Sequence, residues 1–145
     1  MNQTYVVCEN CSQTNRVALN TGKQPICGSC KKGLPIHGAV VDGSDKNFQT
    51  LIDKSPLPVV VDVWAPWCGP CLNFAPTFKT VSEEFMGKAV FLKLNSEANQ
   101  QTSTQLGIRS IPTLILFKNG KEIARRSGSM TQQNFKHWLI ENNSI

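Results

Sequence analysis

The sequence predicts an α/β domain, a mixed central sheet flanked by helices, with a small zinc-ribbon-like module at its N-terminus. Three observations predict it. From about residue 44 onward, apolar runs of strand length alternate with apolar stripes at helical spacing. Near the end, Asn119-Gly120 between two such runs marks a hairpin. Upstream, the pairs Cys8/Cys11 and Cys27/Cys30 sit in polar sequence, separated by the 15 residues Ser12 to Ile26, which is the spacing of a four-cysteine zinc site.

A composition break at 31–38, Lys-Lys-Gly-Leu-Pro-Ile-His-Gly, divides the chain into a zinc-binding module with linker, 1–37, and a main domain, 38–145. Residues 1–30 hold only Tyr5, Val6, Val7, Val17, Leu19 and Ile26 as bulky apolar side chains. So short a segment cannot bury enough surface to fold alone. A structural zinc contributes roughly 10–16 kcal/mol to such folds. Gly28, inside the second pair, is expected to serve a tight knuckle turn. Two disulfides or free thiols are the competing reading of these four cysteines.

In the main domain, Ser44 is placed to cap a helix whose Phe48, Leu51 and Ile52 form one stripe. Pro58 leads into Val59-Val60-Val61-Asp62-Val63-Trp64, which reads as a central strand covered on both faces. A helix follows from about Cys68 to Phe85, with Phe74, Phe78, Val81 and Phe85 on one side and Pro76 as a kink. Ala89 to Leu94 reads as a strand, and a short helix ends before Gly107. Thr113–Phe117 and Lys121–Arg125 form the hairpin. Thr131 caps a last helix that turns Phe135, Trp138 and Leu139 to the core.

At 145 residues the chain has room for one core of ordinary size and a small appendage. No apolar run is long enough for a transmembrane helix, and no secretory signal opens the sequence. A cytoplasmic location is therefore expected, with cysteines reduced. The net charge of +5 raises nucleic acid as a partner. Four thiolates on one Zn²⁺ would lower it to about +3, and the basic residues are scattered, with Lys31-Lys32 and Arg125-Arg126 the longest runs. Tyr5 is the only aromatic residue before Phe48, so a stacking platform is missing. Nucleic acid is not expected as a partner. His37 and His137 lack ligand spacing.

The third pair, Cys68/Cys71, carries different chemistry. It follows a strand and opens a helix, the setting of a redox dithiol. Free N–H groups and the helix dipole favour the Cys68 thiolate, the nucleophile of disulfide exchange. Cys71 lies one turn deeper and can resolve the mixed disulfide. Gly69 and Pro70 occupy the helix start, where proline's missing N–H costs little.

Val-Asp-Val-Trp-Ala-Pro-Trp-Cys-Gly-Pro-Cys at 61–71 resembles the thioredoxin active-site signature. The likeness continues through Lys93-Leu-Asn95, Gly107-Ile-Arg-Ser-Ile-Pro-Thr113 and Leu116-Phe-Lys-Asn-Gly120. With the upstream pairs it points to the zinc-containing thioredoxin 2 subtype. The resemblance implies the thioredoxin fold and a monomeric thiol–disulfide oxidoreductase that reduces disulfides in other proteins. It implies one structural or regulatory zinc on Cys8, Cys11, Cys27 and Cys30, no bound flavin or nucleotide, and thioredoxin reductase as electron donor. Asp62 matches the buried carboxylate beneath the deeper cysteine, expected to have a raised pKa and to take the Cys71 proton. Lys93 matches the lysine near it, and Pro112 the cis-proline of the family. Trp67, Gly69, Pro70, Ile111 and Gly128 fall on the substrate surface, with Trp64 as core support. Pro66 and Leu72 depart from the charged residues common at those positions. An oxidant or isomerase on the same fold is one alternative. Another is a redox-regulated zinc module that binds a macromolecule, with the main domain as its sensor.

Overall fold

The computed structural model describes residues 3–19 and 21–142. A ribbon of two antiparallel strands, β1 (Gln3–Val7) and β2 (Thr14–Ala18), precedes a six-stranded mixed sheet. The sheet comprises β3 (Ile36–His37), β4 (Val40–Gly43), β5 (Val59–Trp64), β6 (Val90–Asn95), β7 (Thr113–Lys118) and β8 (Lys121–Ser127), in the spatial order β3-β4-β6-β5-β7-β8. β4, β6 and β5 are parallel, while β7 runs antiparallel to both β5 and β8. The helices are α1 (Phe48–Lys54), α2 (Gly69–Glu84), α3 (Gln100–Gln105) and α4 (Gln132–Glu141).

Alternation along each strand sorts the core into two layers. Val59, Val61 and Val63 of β5 join Leu92, Leu94, Ile115 and Phe117 on one face, against Phe48, Leu51 and Ile52 of α1. Val60, Phe91, Leu114 and Leu116 face the other way, against Phe74, Phe78 and Val81 of α2 and Phe135 and Leu139 of α4. The stripes read from the sequence therefore point where expected. Phe74, Phe78, Phe91 and Phe135 form one aromatic cluster, with Phe74 and Phe135 centroids 5.3 Å apart. Phe85 and Trp138 are half-buried at its margin.

Turn chemistry also matches in part. Asn119 and Gly120 both have positive φ, as a type I′ hairpin requires. Gly107 has φ 67°, and Thr131 Oγ1 accepts the Asn134 N–H to cap α4. Ser44 does not cap α1. Its Oγ accepts the Lys46 N–H, one turn early, and Asn47 is the residue before the helix. α2 runs on through Pro76.

The largest difference from expectation lies at the N-terminus. The polar, cysteine-bearing segment contains the β1–β2 ribbon, and the hairpin β3–β4 adds an edge to the main sheet. None of these four strands carries a long apolar run, so none was legible. The ribbon is also not without a core. Val6, Val7 and Val17 are buried in the same layer as Phe48, Leu51 and Ile52. The seven-residue α1 covers too little of that face, and the ribbon completes the cover. Asn47, fully buried, clamps the two parts. Its Oδ1 accepts the Ser44 N–H at 2.7 Å, and its Nδ2 donates to the Val7 carbonyl at 3.2 Å and the Asp42 carbonyl at 3.3 Å.

Removing this amide strands buried backbone groups. Asn47→Ala is expected to lower stability by about 2–3 kcal/mol in urea unfolding; a loss below about 0.5 kcal/mol would show that the clamp is not needed.

Candidate active site and metal centre

β5 ends at Trp64, and the chain reaches the start of α2 through Ala65, Pro66 and Trp67. Cys68 is the N-cap of α2 and Pro70 stands in its first turn. Cys68 and Cys71 are joined in a disulfide, with Cα atoms 5.2 Å apart. The Cys71 backbone N–H donates to Cys68 Sγ at 3.2 Å. A sulfur that receives an N–H bond at a helix N-terminus is stabilised as thiolate. Cys68, Cys71 and Ala65 form a small buried cluster edged by Trp64 and Ile111.

The cis-Pro loop closes the other side. Ile111–Pro112 is a cis peptide bond, and the Ile111 carbonyl oxygen lies 3.9 Å from Cys68 Sγ. Gly128, with φ 93°, donates its N–H to the Pro112 carbonyl at 2.8 Å. That backbone favours glycine whatever the space around it. Trp67 is 70% exposed and Leu72 52%, and the two form an apolar rim beside the dithiol. Gly69 and Pro70 are exposed beside them.

Asp62 shares its strand face with Val60, so it points to the α2 side of the sheet. It is fully buried, and neither carboxylate oxygen has a hydrogen-bond partner among the described residues. Burial raises its pKa to about 7, and the charge of Lys93 opposes the rise. Lys93 is Asp62's register partner on β6, yet its Nζ sits over the Trp64 ring, 4.3 Å from the centroid. A cation–π contact thus holds the ammonium. Trp64 supports the core and also positions Lys93, a role the sequence did not suggest.

The first two cysteine pairs converge elsewhere. The Sγ atoms of Cys8, Cys11, Cys27 and Cys30 all lie within 4.8 Å of one another. Cys8 and Cys30 approach to 3.6 Å, as do Cys11 and Cys27. A zinc ion with bonds of about 2.3 Å needs tetrahedral sulfurs roughly 3.8 Å apart, so this set fits one. The two knuckles repeat the same backbone bonds. Cys8 N–H donates to the Gln13 carbonyl and its carbonyl accepts from Ser12, while Cys27 does the same with Lys32 and Lys31. The turn needs positive φ at Ser12 and Lys31, not at Gly28. The expected role for Gly28 is therefore wrong; its N–H instead donates to Asn15 Oδ1 at 2.9 Å.

The cluster favours thiolate unequally. Backbone N–H groups of Cys30 and Ser29 and the Asn15 amide bring Cys27 down to about 6 against its burial. Cys11 rises to about 11: the Gln13 backbone bond lowers it, but desolvation and the neighbouring sulfurs outweigh that. His37 and His137 take no part; they pair with Asp42 at 3.0 Å and Glu141 at 3.2 Å on the surface.

Comparison with known proteins agrees with this geometry. The thioredoxin family model matches residues 39–141. Thioredoxin C-3 of Corynebacterium nephridii is 38% identical over 136 residues, 92% of each chain. The thioredoxin of Haemophilus influenzae is 40% identical over 96 residues, 66% of this chain and 90% of its own. That of Synechocystis is 49% identical over 80 residues, 55% of this chain and 75% of its own. With the Cys68–Cys71 disulfide at the head of α2, the chain belongs to the thioredoxin family and is a protein-disulfide reductase of the thioredoxin type.

Proposed function

We propose that this is a cytoplasmic reductase of protein disulfides of the zinc-containing thioredoxin 2 subtype, acting as a monomer. One observation carries the mechanism: a helix-capping, N–H-bonded Cys68 sits beside a second cysteine, on a sheet that buries an unpartnered carboxylate at Asp62. In the reduced protein the Cys68 thiolate attacks a substrate sulfur. That bond forms as the substrate disulfide breaks, and the departing substrate thiolate takes a proton. Asp62, ionised above about pH 7, accepts the Cys71 proton. Cys71 then attacks Cys68, closing their disulfide and releasing the second substrate thiol. Two electrons have passed to the substrate. Lys93 tempers the Asp62 charge, and the backbone at Ile111, with Pro112 and Gly128, lines the substrate groove beside Trp67, Gly69 and Pro70. Thioredoxin reductase, the family's usual donor, returns the electrons; this chain is read as binding no flavin or nucleotide itself.

Residues 1–37 are read as a module holding one zinc on Cys8, Cys11, Cys27 and Cys30, with 38–145 as the catalytic domain. Bound there, zinc would cross-link the two knuckles and would carry out no redox chemistry itself. The four cysteines are unpaired in a structure that does hold a disulfide at the other pair, which supports metal over extra disulfides.

Three outcomes are expected. Cys68→Ser reduces insulin disulfides no faster than the uncatalysed reaction, while Cys71→Ser accumulates a mixed disulfide visible by mass; full turnover by Cys68→Ser would refute the mechanism. Asp62 holds a proton in the fold that the unfolded chain releases near 3.9, so stability falls as pH rises from about 4 to about 7 and levels off above. Asp62→Asn should therefore stabilise by roughly 2–4 kcal/mol at pH 8, with a gain that shrinks toward zero near pH 4 and with slower resolution of mixed disulfides. A gain independent of pH would contradict the raised pKa. Finally, Cys27→Ser should cut bound zinc from about one equivalent to near none and lower the thermal midpoint; unchanged zinc by elemental analysis would dismiss the four-sulfur site.

A further inference from the structure

α2 and the loop that follows β2 do not close on each other. A cavity of about 630 Å³ lies between them, and a second of about 710 Å³ lies between α2 and the strands β3, β4 and β6. Both are lined by Gly38 and Lys79, so they adjoin at these residues, end to end along the flank of α2, as two segments of a channel. One end is walled by Leu72 and Pro76, immediately after Cys71. The other is walled by Leu19, Pro25 and Met86. From Leu72 to Met86 the chain spans roughly 21 Å at helical rise, the reach of about six residues of extended chain.

The walls next to Leu72 are mainly apolar, those near Pro25 mix polar and apolar side chains, and both carry a basic bias. Lys23 and Lys79 are exposed and have no ion-pair partner among the described residues, and Lys93 stands at the active-site end. Asp42 in the channel is held by His37, which leaves Glu83 as its unpaired acid. One wall, drawn from residues 18–25, falls outside the span that the family model matches. The segment that follows the cysteine-bearing ribbon thus walls the far part of the channel, while α2 with β3, β4 and β6 walls the part next to the dithiol.

We propose that this channel receives an extended segment of about six residues from the substrate protein, next in sequence to its disulfide and bearing apolar and acidic side chains. The proposal rests on the protein-disulfide reductase reading. Continuity with the rim at Leu72 places such a segment where a disulfide engaged at Cys68 would leave its neighbouring chain. The lysines supply the preference for acid, and the ribbon supplies a substrate selectivity that the catalytic residues cannot.

The test uses the zinc-loaded full chain and peptides sharing one intramolecular disulfide. One carries a six-residue tail of Asp and Leu, the other a Gly/Ser tail of equal length, each placed before or after the disulfide. The Asp/Leu tail, on one side, should lower KM about three- to tenfold with kcat unchanged, and salt should weaken the effect. Lys79→Glu, and separately Lys23→Glu, should erase most of that gain while leaving the Gly/Ser peptide untouched. Equal KM for the two tails on both sides, or a preference that survives both substitutions, overturns the channel alone. Failure to reduce either peptide overturns the reductase reading and the channel with it.

Discussion

Both faces of the six-stranded sheet are apolar, and the need to cover each of them organises the rest of this molecule. β5 shows the demand most sharply, since five of its residues are fully or almost fully buried and alternate between two layers. On one side α2 and α4 bring a cluster of phenylalanines. Burying a side chain of that size is worth roughly 1.5–3 kcal/mol. α2 must therefore lie across β5, and its N-terminus emerges just past the strand's C-terminal end. That is the position at which open α/β sheets present their chemistry. The dithiol sits there because the packing brings a helix N-terminus to that point.

The opposite face accounts for the N-terminal module. α1 is only seven residues long. Val6, Val7, Val17 and even Cys8 and Cys27 of the four-cysteine cluster supply the remaining cover. The cysteine-bearing ribbon and the main sheet thus share one hydrophobic layer, sealed by the Asn47 amide. Loss of order around the four cysteines would open part of the same core, which ties the cysteine cluster to the stability of the whole fold.

Within this apolar frame a single carboxylate stands apart. An ionised Asp62 is costly where no hydrogen bond meets it, and the free energy is relieved by holding a proton until about neutral pH. Its nearest basic group does not neutralise it by direct pairing, because Trp64 draws the Lys93 ammonium over its ring. The pair therefore stays poised rather than locked as a salt bridge, which suits the proton exchange proposed for Asp62.

Much of this was legible in the residues themselves. Helical stripes, the Asn-Gly hairpin, the strand before Cys68 and the spacing of the four clustered cysteines are local patterns, and local sterics and periodicity determine them. Four short strands, β1 to β4, were not legible, because their pairing partners are distant in sequence and their own apolar content is slight. Ser44 and Gly28 misled for a related reason: residue type suggested a cap and a turn, but backbone hydrogen bonds set the first at Asn47 and put positive φ at Ser12 and Lys31. The sequence by itself determined the redox pair at the head of α2 and the local fold of the main helices and of the central strands. Only the tertiary structure decided that the cysteine-bearing ribbon packs into the core of the main sheet, that Trp64 holds Lys93, and that two cavities adjoin along α2. Those features arise from contacts between segments that no local pattern encodes.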